Sequence, residues 1–90
     1  MQELHGLWHF VQAARAGSLT HAAQRLGVST AALSKSVARL ERLTNTRLFV
    51  RTTRQLQLTS EGATLLGRVV DAFAAIEDSI ERLHEGHVEE

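Results

Sequence analysis

No cysteine and no proline occur in the 90 residues, aromatic side chains are confined to Trp8, Phe10, Phe49 and Phe73, and the formal net charge is zero. Without cysteine, disulfides and thiolate metal centres are excluded, and a reducing compartment is compatible. Without proline or a low-complexity stretch, no linker interrupts the body. No apolar run approaches the roughly 20 residues that a bilayer span requires. The N-terminus has no basic stretch leading into an apolar one, so no secretory signal is read and the cytoplasm is the expected compartment. Ninety residues make one small domain with a modest core.

The zero net charge hides a strong asymmetry. Between Arg15 and Arg54 stand eight cations (Arg15, Arg25, Lys35, Arg39, Arg42, Arg47, Arg51, Arg54) against one anion, Glu41, a net of +7. From Glu61 onward eight anions face only Arg68 and Arg82, a net of −6. A basic body with an acidic tail is the electrostatic footprint of a polyanion-binding surface; two solvated helix faces are the plainer reading.

Apolar spacing gives the elements. Leu4, Leu7, Trp8, Val11 and Ala14, with Phe10 beside them, predict a first helix from about Gln2 to Arg15. Gly17 suits a left-handed position after it. Ser18 caps a short second helix through Leu26, with Ala22, Ala23 and Leu26 turned inward. Gly27-Val28 forms a tight turn, and Ser29 caps a third helix to about Leu43 that Thr44-Asn45-Thr46 breaks. Two short strands, Leu48-Phe49-Val50-Arg51 and Leu56-Gln57-Leu58, flank Thr52-Thr53-Arg54-Gln55 as a β-ribbon. Thr59 caps a long last helix.

The third helix is the most informative element. Leu33, Val37 and Leu40 form one narrow stripe, and Ala31, Ser34, Lys35, Ala38 and Arg42 lie opposite it. A small, basic, hydroxyl-bearing face suits close approach to a polyanion and fits the major groove of DNA. The second and third helices across Gly27-Val28 make a helix-turn-helix, with Leu26, Val28 and Leu33 expected to fill its angle. With the ribbon it becomes a winged helix. The expected fold is mainly α: a winged helix-turn-helix of three helices and a two-stranded β wing over residues 1–58, then a dimerising linker helix over 59–90. At the ribbon tip, Arg51 and Arg54 flank two threonines and suit phosphates or a narrow minor groove. A charged hairpin kept soluble against edge pairing is the plainer reading.

These residues resemble the N-terminal DNA-binding domain of LysR-type transcriptional regulators over about Leu4 to Phe73. The resemblance rests on Gly17-Ser18-Leu19-Thr20-His21-Ala22-Ala23, Leu26-Gly27-Val28-Ser29, Leu33-Ser34-Lys35 with Arg39-Leu40-Glu41, Leu48-Phe49, Arg51-Thr52-Thr53-Arg54, and Leu58-Thr59 with Glu61-Gly62. It implies a homodimer bound to double-stranded DNA at an interrupted palindromic operator. A small-molecule effector would act only through a C-terminal domain that is absent from these residues. Carried onto this chain, groove contacts fall on Thr30, Ala31, Ser34 and Lys35, and backbone or minor-groove contacts on Thr20, Arg51, Thr53 and Arg54. Ser29 and Arg39 complete the candidate set. Thr30 and Ala31 depart from the family's usual glutamine and its proline or serine neighbour. Thr30 lacks glutamine's bidentate pairing to adenine, so thymine methyl contacts replace it. Thr44-Asn45 stands where Leu-Gly is usual, and the Thr44 hydroxyl is expected to bond a helix carbonyl at a small stability cost.

In the last helix, Leu66, Val69, Phe73, Ile76, Ile80 and Leu83 alternate spacings of three and four, an a/d seam expected to form the dimer interface. Its beginning, near Leu65, Leu66 and Val69, is equally suited to packing on the first helix. His5 and His9 at i, i+4 and His84 and His87 at i, i+3 have metal-compatible spacings, but surface histidines are the expectation, with no metal and no cofactor. His21, in the first turn of the second helix, is within reach of a phosphate. No base stands at i+3 or i+4 from Ser34 and no glycine-rich phosphate loop occurs, so no enzymatic activity is expected. Two rivals remain open: a winged-helix module that dimerises or docks proteins without DNA, and the similar DNA-binding domain of molybdate-responsive regulators.

Overall fold

The computed structural model describes residues 2–52 and 55–88. Its elements run α1 (Gln2–Ala16), α2 (Leu19–Leu26), α3 (Thr30–Thr44), β1 (Phe49–Arg51), β2 (Leu56–Leu58) and α4 (Ser60–Val88). β1 and β2 pair antiparallel with Phe49 opposite Leu58, Val50 opposite Gln57 and Arg51 opposite Leu56. The helix-turn-helix of α2 and α3 is backed by α1, and the ribbon follows as a wing. The molecule is elongated, 54 × 26 × 22 Å, because a helix of 29 residues is about 43 Å long at 1.5 Å per residue.

Hydroxyl caps set three helix starts. Ser18 Oγ accepts from the His21 amide at 3.2 Å and Ser29 Oγ from the Ala32 amide at 3.0 Å. Thr59 Oγ1 accepts from the Gly62 amide at 3.0 Å and donates to the Arg47 carbonyl at 2.6 Å. Each satisfies an amide that has no partner within its helix.

Two helix ends share one device built from different residues. Gly27 (φ 72°) ends α2 and Asn45 (φ 50°) ends α3, both left-handed. The amide one residue further bonds back across the turn, Val28 to Ala23 O at 3.1 Å and Thr46 to Glu41 O at 3.0 Å. Glycine enters this region freely, and asparagine is among the side chains that tolerate it. Thr44 is exposed, and its hydroxyl donates to Leu40 O at 2.9 Å, four residues back.

The core is the Leu33, Val37 and Leu40 stripe of α3 set against Phe10, Val11 and Ala13 of α1, Ala22 and Ala23 of α2, Leu48 and Phe49 at the wing, and Val69 of α4. The Phe10 and Phe49 rings lie 5.3 Å apart at a 54° tilt, joining α1 to the wing. Several expectations change here. The buried face of α1 centres on Phe10 and Ala13, so Leu4 and Trp8 sit at its rim and are exposed. Trp8 and Phe73 pack perpendicular to one another, ring centroids 5.7 Å apart, on the side where α4 passes. Val28 does not fill the helix-turn-helix angle: its amide is tied back to Ala23 and its side chain is exposed. Leu48 precedes β1 rather than belonging to it.

The last helix also divides differently from the expected seam. Val69 is only 7% exposed, with Leu66 and Phe73 partly buried against the same cluster. Val69 is therefore spent on the protomer's own core and cannot face a partner. Beyond Phe73 the seam opens, leaving Ile76, Ile80 and Leu83 at 51%, 64% and 69% exposure.

Gly62 fixes how α4 leaves the wing. A Cβ at this position would fall on the Leu48 carbonyl oxygen and crowd the Leu58 side chain. The Thr59 amide donates to that same carbonyl at 3.0 Å. The close approach of two backbones accounts for glycine after Glu61.

Candidate nucleic-acid interface

Helix α3 presents three surfaces besides its buried stripe. At about 100° per residue, Ala31, Lys35, Ala38 and Arg42 occupy the apex opposite the core. Thr30, Ser34 and Glu41 lie on one flank, Ser36, Arg39 and Leu43 on the other. The first flank meets the wing and the second meets α1.

On the wing flank, Glu41 Oε2 accepts from the Leu48 amide at 2.8 Å and the Phe49 amide at 3.2 Å. This carboxylate, the lone anion of the basic stretch, is thereby turned onto backbone and holds the start of β1 on the C-terminal half of α3. Two helical turns earlier, the Arg51 guanidinium donates to Ser34 Oγ at 2.8 Å. β1 is thus laced to α3 at both ends. Its partner strand is tied elsewhere, the Leu56 amide donating to Gly17 O at 3.2 Å. At the wing turn, the Thr52 hydroxyl and amide both bond Gln55 O at 3.0 Å.

On the other flank, His9 Nδ1 and Ser36 Oγ share a 2.8 Å hydrogen bond. His9 is half-buried, so it is not the free surface histidine expected of an i, i+4 pair. Burial, and next the neighbouring His5, hold its pKa below the ordinary 6.5. The bond joins α1 to α3 on this flank, beside the packed apolar stripe.

Several predicted residues come together. Thr20, Thr30 and Arg51 line one concavity with Ser18, Thr52 and Gln55, where the α2 N-terminus, the α3 N-terminus and the wing converge. Thr20, Ser29, Thr30, Ala31, Lys35, Arg39 and Arg51 are exposed, and Ser34 is half-buried against the wing. Thr53 and Arg54 lie outside the described residues. Among the described residues, the one ion pair is Arg82–Asp78 at 3.0 Å on the far part of α4. No carboxylate there neutralises Lys35, Arg39, Arg42, Arg47 or Arg51. Again among the described residues, no helix is long and apolar enough to cross a membrane, and no cluster of three His, Cys, Asp or Glu is gathered for a metal ion.

Glu41 is the site residue that sequence reasoning passed over. The available signal was its isolation among eight cations, since a single anion in a basic face needs a local partner.

Fold and interface together define a winged helix-turn-helix protein. Residues 4–63 match the family described as bacterial regulatory helix-turn-helix protein, lysR family, and the chain belongs to that family. It is 44% identical over 87 residues to the HTH-type transcriptional activator AmpR of Yersinia enterocolitica, covering 97% of this chain and 30% of that protein. It is 41% identical to a carbapenem-hydrolyzing beta-lactamase transcriptional activator of Serratia marcescens, with the same coverage. The chain thus spans about a third or less of the curated relatives it matches. Among solved structures, the CbnR DBD–DNA complex superposes with a TM-score of 0.83 at 26% identity, over 92% of this chain and 95% of that one. The BenM DBD bound to benA site 1 DNA gives 0.86 at 23%, over 91% and 92%, a likeness of fold.

Proposed function

We propose that this chain is a DNA-binding unit of a transcriptional regulator, working in the cytoplasm as a homodimer on double-stranded DNA. The observation that carries this reading is the uncompensated basic face. The apex of α3 and the adjoining wing present Lys35, Arg42 and Arg51, with Arg39 on the α1 flank; among the described residues no carboxylate forms an ion pair with them, and Glu41 is occupied by the β1 backbone. A protein-docking winged helix gives that arrangement no task. The relatives' roles as transcriptional activators and the DNA in the CbnR complex support the same conclusion.

The apex enters the major groove. Lys35 and Ser34 read base edges, and Thr30 and Ala31 touch thymine methyls. Thr20, Ser29, Arg39, Arg42 and Arg51 lie along the phosphates. The exposed part of the α4 seam (Ile76, Ile80 and Leu83) pairs two copies, so the spacing of two α3 helices selects two half-sites.

The test is sequence selection from a random duplex library followed by salt titration on the selected site. Affinity should fall steeply with salt as phosphate counterions are displaced. Lys35→Ala should cost roughly 1–3 kcal/mol and blur one base position. Salt-independent binding, or an unchanged preference in Lys35→Ala, would remove α3 from the reading role.

A further inference from the structure

Ser34 and Arg51 belong to different elements and would be assigned different tasks, one on a base and one on a phosphate. The 2.8 Å hydrogen bond between them couples those tasks. Its direction is fixed by chemistry, because a guanidinium has donors only and does not lose its charge. Ser34 Oγ must accept. A serine hydroxyl has one hydrogen and two lone pairs. With one lone pair held by Arg51, the hydrogen remains available to a partner outside the protein. Among the described residues the hydroxyl donates to none.

The cation has two further effects. A charge-assisted bond polarises the O–H and strengthens it as a donor. The guanidinium also opposes the approach of any base amino group, whose hydrogens carry partial positive charge. Alone, a serine hydroxyl pairs with donors and acceptors alike on base edges. Beside Arg51 one lone pair is taken and the cation disfavours a base donor at the other, so the hydroxyl acts chiefly as a donor.

We infer that Arg51 is a positioning residue for base recognition: it holds the Ser34 hydroxyl as a one-way donor that selects base-edge acceptors and disfavours cytosine. Purines offer N7, guanine adds O6 and thymine offers O4, whereas cytosine presents only its amino donor in the major groove. The inference deepens the DNA-binding reading and rests on it. The geometry is not that of a loose surface arginine. β1 carries Arg51, and Glu41 clamps the start of that strand two turns along the same flank of α3. The position of Arg51 is therefore set by the same helix it acts on.

The experiment is selection from a random duplex library with the intact chain and with Ser34→Ala, Arg51→Ala, Arg51→Lys and the Ser34→Ala/Arg51→Ala double variant. Thermal melts confirm that each variant is folded, as expected for changes outside the core. The base position that loses preference in Ser34→Ala is the one Ser34 reads, and the parent should disfavour cytosine there by roughly fivefold, the low end of a good base contact. Arg51→Ala should admit cytosine at that same position, and the double variant should be no more permissive than either single one. Lysine keeps the cation on a stem one bond shorter. Arg51→Lys should therefore lose the preference as Arg51→Ala does, while retaining a steeper salt slope than Arg51→Ala because the charge is kept. If cytosine stayed excluded in Arg51→Ala while all duplexes weakened alike, Arg51 would be a phosphate contact and the coupling would be refuted. A parent chain with no sequence preference would overturn the DNA-binding reading itself, a different and recognisable failure.

Discussion

The two halves of α4 are one unbroken helix with one apolar repeat, yet only the first belongs to the folded body. Up to Phe73 the repeat meets other elements: Val69 enters the core, Leu66 packs beside it, and Phe73 packs perpendicular to Trp8. Past Phe73 the same three-and-four spacing carries Ile76, Ile80 and Leu83 into solvent. The sequence period is the same in both halves. What differs is whether α1 and the wing lie alongside. Heptad periodicity therefore specifies a face to be buried without specifying the element that buries it.

Damage to each half of α4 should have separate consequences. Phe10 is fully buried and packs against the tilted ring of Phe49. Phe10→Ala should cost about 3–5 kcal/mol in denaturant unfolding, a large share of the stability of a small domain. At concentrations low enough to keep both proteins monomeric, Ile80→Asp, on the exposed half, should change unfolding by no more than about 0.5 kcal/mol. The same variant should sediment as a monomer where the parent sediments as a dimer. Phe73→Asp is a poorer probe of the seam, because it also removes the Trp8 contact. If Ile80→Asp unfolded the protomer as Phe10→Ala does, the division of α4 would be wrong.

Two glycines within α4 differ in whether a single methyl group has room. Gly62 sits against the Leu48 carbonyl, whereas nothing lies within 4 Å of a Cβ placed on Gly67. Gly62→Ala should destabilise by about 1–3 kcal/mol, since the backbone of the wing must give way. Gly67→Ala should stabilise by roughly 0.5–1 kcal/mol, because alanine loses less backbone freedom in a helix. Opposite signs in thermal unfolding are the expected result. Equal effects would mean that the α4–wing approach is not tight.

The elements and caps were legible in the sequence because their causes are local. As caps, Ser18, Ser29 and Thr59 bond amides three residues on, and Gly27 and Asn45 act through their own φ. The α3 stripe was legible because one side of that helix is buried and the opposite side is not. The α1 face was misread because Phe10 and Trp8 are both large and apolar. Only the placement of α2 and α3 decides which of them goes inside. The candidate interface was legible as a set of residues but not as a network. Glu41 with the β1 amides and Arg51 with Ser34 join residues 7 to 17 positions apart, and no periodicity announces such pairs. His9 with Ser36, 27 positions apart, is the same kind of case.

That last pair yields the smallest expected effect, and it is confined to the body. Burial, and then the charge of His5, make protonation of His9 less favourable in the folded chain than in the unfolded one. The unfolded chain therefore takes up its proton first as pH falls below the ordinary value of 6.5. Stability from this group is fully present above that value and is lost as pH drops through the depressed folded pKa. The wild-type Tm should accordingly be lower at mildly acidic pH than near pH 8. Part of that difference should vanish in His9→Gln, whose amide can still bond Ser36 but does not titrate. Because the other titrating groups are common to both proteins, subtracting the two pH profiles isolates His9. An identical profile in His9→Gln would show that the α1–α3 joint does not sense protonation.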